Sequence, residues 1–487
     1  MDRASALRQR LQARYPLVYL LHADERDAVH ILGEAAAATG MQLRVIAVDR
    51  QSLPEMAMDG LGTLLDAPEP TVLALPQGHL LLENPTIARF FLERLVELER
   101  RSHVLVLMAP VHVPCPELER ERVIIQLALP SGDELAPLVA AALRDTQGLV
   151  DPTILAEATQ AVTGLTTVQA RRALRRVRTL GLQSHEAIGE LLGEKRDLIA
   201  AGGVLQVVSA APTLGEIGGL DVLKDWLHLR REALLPAAQA FGLPKPKGVL
   251  VIGVQGCGKS MIAKASSAVL GVPLLRLDLG RLYAGQRTPD ENLRRALEIA
   301  EAMSPVVLWL DEIDKAFSDT RSETQGRVLG SLLTWLGEQR SGVFVAATAN
   351  SVELLPSELL RKGRFDETFF VDLPDLQVRG EIAGICLLRS GRNPLEFDLE
   401  QLAQASDRLT GAEIEQSVVE ALAQAWAAHR PLEQQDLLQA IQKTIPFVET
   451  YEPQVKALRQ WARKRCRAAA PDRSLRELYL SATPPKP

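Results

Sequence analysis

Residues Gly253–Ser260 constrain the fold of this chain more than any other segment. They read Gly-Val-Gln-Gly-Cys-Gly-Lys-Ser and directly follow an apolar run, Val249–Ile252. This pattern is typical of a phosphate-binding loop, in which glycines let the backbone approach the phosphates and a helix N-terminus supplies amide donors. The loop therefore predicts a buried strand before it, a helix after it and a nucleotide as its ligand.

Three further motifs follow the loop in chain order. An apolar run leads into the acidic pair Asp311-Glu312, residues 347–350 read Ala-Thr-Ala-Asn, and residues 361–366 read Arg-Lys-Gly-Arg-Phe-Asp. One phosphate-loop match by itself carries a real false-positive risk. Four motifs in a fixed order instead indicate a site that binds and hydrolyses ATP.

Each residue type in this pattern has a chemical reason. Lys259 would reach the β- and γ-phosphates, Ser260 and Asp311 would hold Mg²⁺, and Glu312 would polarise the attacking water as a general base. Cys257 admits two interpretations: a thiol with a lowered pKa that acts as a redox brake, or a small residue that merely fits, which we favour. The predicted cofactor-binding residues of the loop are Gly253, Gly256, Cys257, Gly258, Lys259, Ser260 and Met261.

Residues 214–440 resemble the AAA ATPases, the group with a second region of homology, and the span from 347 to 366 looks like that region. The resemblance implies ATP and Mg²⁺ as cofactors and a homo-oligomer, in the form of a hexameric ring. It also implies that each site receives an arginine from the neighbouring subunit. The residues to which it gives roles are, in catalysis, Asn350, Arg361 and Arg364, and, near the adenine, Gly218, Gly411 and Ala412.

A closer resemblance covers nearly the whole chain. Residues 241–248, 308–317 and 410–416 look like the hypothetical-chloroplast-reading-frame AAA proteins of cyanobacteria, algal plastids and other bacteria. This resemblance implies the fold and the ATPase activity, and it leaves the protein partner unknown.

Two blocks of the chain alternate short apolar runs with helical patterns. Such alternation predicts an α/β fold with a parallel sheet that helices cover on both faces. The predicted strands of the first block are 16–21, 43–48, 71–75 and 103–108, and those of the second are 249–252, 274–277, 306–310 and 343–346.

The first block reads as a copy of the second without its catalytic residues. Pro76 and Gln77 stand where the second block has its acidic pair, and the first strand runs into His22 with no Gly-Lys-Ser. We interpret the first block as a degenerate, nucleotide-free AAA-like domain; the alternative is the ordinary similarity of any two α/β domains. The aligned segments are 72–79 with 307–314, 127–130 with 371–374, and 163–169 with 410–416.

These patterns predict five regions along the chain. They are a degenerate AAA-like domain (1–180), a helical linker (181–213), a large P-loop NTPase subdomain (214–376), a helical lid (377–445) and a basic helical tail (446–487).

The loop after the second strand of the ATPase block departs from the family pattern. Many AAA remodellers place an aromatic residue there to grip polypeptide in a central pore, whereas this chain has Gln286, followed by Arg287. Tyr283 lies three residues earlier. Polar residues that line a pore could contact an acidic polypeptide segment or a phosphate backbone. The alternative is that this loop only packs between subunits.

The composition of the chain indicates which class of partner to expect. A net charge of −6 gives no global basic field, so a protein partner is favoured and a nucleic-acid partner is the alternative. We find no apolar stretch long enough to span a bilayer and no secretory signal. The four cysteines fit neither a zinc site nor a disulfide framework. We therefore expect a cytoplasmic protein, or one of the plastid stroma.

Overall fold

The structure of the protein is a computed structural model. It describes residues 3–46, 53–82, 84–110, 113, 115–143, 151–181, 184–201, 203–208, 212–234, 236–284, 288–316, 323–338 and 342–471. The chain divides into an N-terminal unit, Met1–Asp197, and a C-terminal unit, Leu198–Pro487. Within the described ranges, none of the helices combines the length and the hydropathy that a bilayer crossing requires.

The N-terminal unit contains one sheet and its covering helices. Its strands are β1 (Leu17–Leu21), β2 (Gln42–Val45), β3 (Thr71–Leu75), β4 (Val104–Ala109) and β5 (Val123–Gln126). Its helices are α1 (Ser5–Gln12), α2 (Glu25–Ala38), α3 (Leu53–Leu65), α4 (Gly78–Leu82), α5 (Pro85–Arg100), α6 (Gly132–Leu143), α7 (Pro152–Val162) and α8 (Thr167–Leu180), and α9 (Ser184–Ala201) contains the boundary between the units.

This sheet has the order β2-β3-β4-β1-β5, with every neighbouring pair parallel. Alternate residues of the central strands enter two separate cores: Tyr19 packs in one and Val18 in the other. A strand that is buried on both faces reads as a continuous apolar run, which is why these strands could be predicted from the sequence.

The C-terminal unit contains a larger sheet and more helices. Its strands are β6 (Leu205–Val208), β7 (Gly248–Gly253), β8 (Leu274–Leu277), β9 (Val306–Leu310), β10 (Val343–Ala349), β11 (Glu367–Val371) and β12 (Arg467–Ala468). Its helices are α10 (Asp221–Glu232), α11 (Pro236–Ala240), α12 (Lys259–Leu270), α13 (Pro289–Ala302), α14 (Ile313–Ala316), α15 (Glu323–Glu338), α16 (Leu376–Arg389), α17 (Leu399–Ala405), α18 (Gly411–Ala427), α19 (Gln434–Lys443), α20 (Phe447–Thr450) and α21 (Glu452–Ala462).

The larger sheet has the order β12-β11-β7-β10-β9-β8-β6, and among its pairs only β6 with β8 is antiparallel. Its two faces again carry separate cores, with Leu250 in one and Val251 in the other. Helices α16 to α19 form a further core of their own, the lid. The predicted α/β fold with parallel sheets is confirmed.

The two units share one strand order. Strands β1 to β5 of the first unit correspond, in chain order, to β7 to β11 of the second. Across the sheet, the order β5-β1-β4-β3-β2 of the first unit then matches β11-β7-β10-β9-β8 of the second. The register agrees too: Leu75 pairs with Leu107 as Leu310 pairs with Ala347. Gln77 therefore occupies the position of Glu312, and both residues have a positive φ, 56° and 50°.

The lid alignment predicted from the sequence is shifted by three residues. Helix α8 begins after Thr166, whose side chain forms a capping box with Gln169, as Thr410 does with Glu413 at the start of α18. The structural counterpart of Thr410 is thus Thr166, whereas the sequence alignment pairs Thr410 with Thr163. A capping box satisfies two backbone donors at once, so it marks the helix start better than a Thr-Gly pair does.

Two segments outside the predicted ATPase block join its sheet. The stretch predicted as a helical linker, 181–213, includes β6, which pairs with β8. The predicted helical tail includes β12, which pairs with β11. The predicted second strand ends early, at Val45, and its residues 47 and 48 lie outside the described residues, as do Gln286 and Arg287.

Candidate nucleotide site

The phosphate loop connects the end of β7 to the start of α12. Gly256 and Gly258 have φ values of 78° and 87°, a region that favours glycine. A Cβ on Gly256 would lie 2.9 Å from the Thr410 hydroxyl oxygen, so the lid leaves no room for a side chain there. The N-cap of α12 is Gly258, which has no side chain to bond the first amides of the helix. These amides remain available to a phosphate.

Lys259 lies inside the loop. Its Nζ donates hydrogen bonds to the carbonyl oxygens of Gly253, at 2.9 Å, and Val254, at 2.7 Å. Burial lowers the pKa of Lys259 to about 8. Phosphate oxygens would therefore compete with two backbone carbonyls for this ammonium group.

One threonine contacts both residues of the acidic pair that follows β9. The Thr348 hydroxyl donates to Asp311 Oδ1, at 2.7 Å, and accepts the Glu312 backbone N–H, at 3.0 Å. The Ser260 hydroxyl also donates to Asp311 Oδ1, at 3.0 Å. Thr348 belongs to the Ala-Thr-Ala-Asn motif, but the motif by itself predicts no role for it. Only the pairing of β10 with β9 brings Thr348 to the acidic pair.

The oxygens of Ser260 and Asp311 suit Mg²⁺, which prefers a few oxygen ligands from the protein and takes the rest from phosphates and water. Among the described residues, no cluster of three or more His, Cys, Asp or Glu side chains could hold a metal without such help. The donor set therefore fits the ion that the fold implies.

The Glu312 carboxylate is held from two sides. Asn350 Nδ2 donates to its Oε1, at 3.0 Å, and Lys315 Nζ lies 2.8 Å from its Oε2. Buried Asp314 accepts the backbone N–H groups of Asn350 and Ser351, which fixes the turn that carries Asn350. A carboxylate and an amide that are held together in this way can jointly bind and orient one water molecule.

The lid contacts the loop at the other end of the site. The Ala412 N–H donates to the Gly256 carbonyl, at 3.0 Å, and the Gly219 N–H donates to Glu381 of α16, at 3.0 Å. A Cβ on Gly218 would lie 2.8 Å from Ile382, so only glycine fits where these segments meet.

A cavity of about 920 Å³ joins these parts, large enough for a nucleotide. It brings together most of the predicted residues; Gly253 and Asp311 do not line it, although Asp311 bonds Ser260. The predicted residues that line the cavity are Gly218, Gly256, Cys257, Gly258, Lys259, Ser260, Met261, Glu312, Asn350, Gly411 and Ala412.

The two predicted arginine fingers lie elsewhere. Neither Arg361 nor Arg364 lines the cavity. They follow a 3₁₀ turn, Ser357–Leu360, where Arg361 is exposed and Arg364 donates to the carbonyl of Glu358. The structure of one chain therefore does not bring them to its own phosphate loop.

The surroundings of Cys257 favour the second of its two interpretations, a small residue that fits the loop. Burial raises the pKa of this thiol to about 12, so the group is a neutral thiol at physiological pH. A redox brake would need the opposite shift. The thiol packs beside Val254 and the tail residue Val455, and it behaves as a small apolar side chain.

Comparison with known proteins agrees with this geometry. Residues 249–373 match the family described as ATPase family associated with various cellular activities (AAA), and residues 3–127 match the SpoVK-like AAA ATPase N-terminal domain.

Two algal relatives match most of the chain. The AAA domain-containing protein ycf46 of Trieres chinensis is 34% identical over 479 residues, which cover 93% of this chain and 95% of that protein. The protein of the same name from Gracilaria tenuistipitata var. liui is 37% identical over 413 residues, 82% of this chain and 83% of that protein. A proteasome-activating nucleotidase of Thermococcus kodakarensis is 31% identical over 277 residues, 53% of this chain and 68% of that protein.

Proposed function

The chain belongs to the ycf46 group of AAA ATPases, and from this membership we propose that it forms a homo-hexameric ring in which Mg²⁺-dependent ATP hydrolysis remodels or regulates a protein partner. The protein is an ATPase. The proposal adds the hexameric ring, the Mg²⁺ ion and the protein partner. One observation carries it: Lys259, Glu312 and Asn350 line one cavity, while Arg361 and Arg364 stay outside it. A second chain would then supply the two predicted arginine fingers that this chain does not bring to its own cavity.

The chemistry follows from the residues around the cavity. The backbone amides at the start of α12 and the Lys259 ammonium would hold the β- and γ-phosphates. Ser260 and Asp311 would hold Mg²⁺, which neutralises charge on the phosphate oxygens. Glu312, with Asn350, would orient a water whose oxygen attacks the γ-phosphorus, and the bond to the β–γ bridging oxygen would break. The water proton would pass to Glu312, leaving ADP and inorganic phosphate.

The neighbouring subunit would supply Arg361 and Arg364 to this transition state. An arginine given in trans is worth roughly 10³–10⁵ in rate in other NTPases. An isolated subunit should therefore turn over slowly, and assembly should switch hydrolysis on.

The N-terminal unit would serve as a docking or scaffold tier that binds no nucleotide. Its helix α2 follows β1 as α12 follows β7, but the side chain of Asp24 accepts the N–H groups of Arg26 and Asp27. The carboxylate thus occupies the amides that a phosphate would need and repels the phosphate charge.

The alternative of a nucleic-acid partner loses support from the tail. Three of its basic residues make contacts within the C-terminal unit: Arg459 pairs with Asp372, Arg465 lies over the Trp461 ring, and Arg467 lies over a ring of β11. These contacts leave fewer cations free to bind a phosphate backbone. All four cysteines are free thiols, which supports the proposal of a reducing compartment, the cytoplasm or the plastid stroma.

Subunit mixing tests the shared site. Arg364→Ala and Lys259→Ala should each be nearly inactive alone, and a mixture should regain ATPase activity because some interfaces then combine an intact loop with an intact arginine. Lys362→Ala is the matched control, since it removes a neighbouring exposed cation and should keep the wild-type rate. If no mixing ratio restores hydrolysis while both variants assemble normally by size-exclusion chromatography, the shared site is wrong.

A further inference from the structure

The segment that follows the lid folds back onto the ATPase core. Residues 446–471, here called the strap, comprise α20, α21 and β12. The sequence predicted this segment as a basic helical tail. Its last described residues instead extend the sheet: Phe369 and Phe370 of β11 pair with Arg467 and Ala468.

Three sets of contacts connect the strap to segments around the candidate nucleotide site. Val448 and Val455 pack against Val254, the second residue of the phosphate loop. Arg459 Nε donates to both carboxylate oxygens of Asp372, at 2.9 Å each, between β11 and the lid helix α16.

The strap also contacts the lid itself. The Phe447 N–H donates to Glu413, the partner of Thr410 in the capping box of α18, at 2.6 Å. The Ser417 hydroxyl lies 3.0 Å from that of Thr444, just before the strap. The strap therefore contacts the phosphate loop, Asp372 at the end of β11, and the lid.

The strap supplies a wall of the nucleotide cavity. Its lining residues are Arg459, Ala462, Arg463, Cys466, Ala468, Ala469, Ala470 and Pro471. Most of these side chains are small, so they leave space rather than fill it. The same cavity is lined by Ile217 and Gly218, which precede α10.

Arg463 differs from the other cations of the strap. Arg459 is paired with Asp372, whereas Arg463 is exposed, lines the cavity and has no side-chain partner within the described part of the chain. It lies eight residues beyond Val455, which corresponds to about 12 Å along a helix. Beyond Arg463, the Ala469 carbonyl accepts the Leu223 N–H at 3.1 Å, so this end of the strap lies beside α10. The segment before α10 contains Gly218, the residue predicted to lie near the adenine, and it lines the same cavity as Arg463.

We propose that the strap is a nucleotide-binding element, with Arg463 contacting the base–ribose end of the bound nucleotide. A guanidinium group can stack on a base or donate to ribose hydroxyls. The inference rests on the proposed nucleotide site and adds a binding residue to it.

Equilibrium binding of ADP and ATP to the full-length protein, without hydrolysis, tests the inference. Arg463→Gln should raise both dissociation constants by a similar factor of about three to ten, as expected for one cation–ring contact. Lys464→Gln is the matched control: it removes the same charge one residue away, outside the cavity lining, and should bind like wild type. Ala470→Trp, which fills the strap side of the cavity, should also weaken both nucleotides.

The outcomes separate two failures. If wild-type protein binds no nucleotide, or Lys259→Ala binds as well as wild type, the proposed function itself fails. If wild type binds and Lys259→Ala does not, but Arg463→Gln matches Lys464→Gln, only the role of the strap residue is overturned. An effect of Arg463→Gln on ATP alone would also overturn it, because a base–ribose contact is common to both nucleotides.

Discussion

The two units of this protein have the same five-strand order and different chemistry where those strands end. In the C-terminal unit the strand ends carry Gly253, Asp311, Glu312 and Asn350, and in the N-terminal unit the register places His22, Pro76, Gln77 and Pro110 at the same points. Buried apolar residues form the cores on both faces of each sheet. The same strand order therefore forms with different residues at the strand ends.

The two units share a backbone conformation at a position where their side chains differ. Gln77 and Glu312 both adopt a positive φ, which is uncommon for residues with a side chain. At Glu312 this conformation places the backbone N–H on Thr348 and the carboxylate beside Asn350. The register puts Met108 at the position of Thr348, so the N-terminal unit has the turn without the hydroxyl that would use it.

The position of the phosphate loop differs most. Buried His22 stands where the other unit has Gly253, and burial lowers the pKa of this imidazole to about 4. It is therefore neutral at pH 7 and offers no charge to a phosphate. Asp24 adds a negative charge at the start of α2. The two units therefore share the strand order and differ in the free amides and the cation that a phosphate would use at this strand end.

The largest expected effect comes from exchanging the paired positions. Glu312→Gln should reduce the ATPase rate by about 10²–10⁴, the usual worth of a general base, while leaving ATP binding intact. Gln77→Glu should change neither, because the N-terminal unit lacks the loop and the cation. Steady-state phosphate release and equilibrium ATP binding measure both. Retained hydrolysis in Glu312→Gln would remove this residue as the base, and new nucleotide binding in Gln77→Glu would break the comparison.

A smaller effect is expected at Thr348. Thr348→Val keeps the shape and removes the hydroxyl that bonds Asp311 and the Glu312 N–H. Hydrogen bonds to charged groups are worth about 1.5–3 kcal/mol, so the ATPase rate constant at saturating ATP should fall by roughly 10- to 150-fold. Thr348→Ser should restore most of the rate, because it returns the hydroxyl. Equal rates for the valine and serine variants would mean that the hydroxyl does not position the acidic pair.

The smallest effect is a pH dependence of nucleotide affinity. Because burial lowers the pKa of Lys259 to about 8, the group is protonated below pH 8 and loses its charge above it. Phosphate favours the protonated form, so ATP affinity should be flat up to about pH 8 and then fall by at most about tenfold per pH unit. Titrations at constant ionic strength, with circular dichroism as the control for folding, measure this. An affinity that stays flat to pH 9.5 would show that Lys259 remains charged in the free site.

Much of the site could be predicted from the sequence because its determinants are local. The glycines, Lys259 and the acidic pair are named by short motifs that end apolar runs, and the cavity contains nearly all of them. The alignment of Gln77 with Glu312 also follows from a short run of letters. The alignment was wrong at the lid, where the sequence match selects Thr163 as the counterpart of Thr410 but the residue that caps α8 is Thr166.

The sequence by itself determined the two α/β sheets and predicted the residues of the candidate phosphate site, because periodicity and loop chemistry depend on consecutive positions. Only the tertiary structure decided that Thr348 joins the acidic pair and that the strap lines the nucleotide cavity. Strand β12 has two residues, too few for a pattern, and its place depends on pairing with a strand about a hundred residues earlier in the chain. Such contacts are set by packing between distant segments, and no local pattern encodes them.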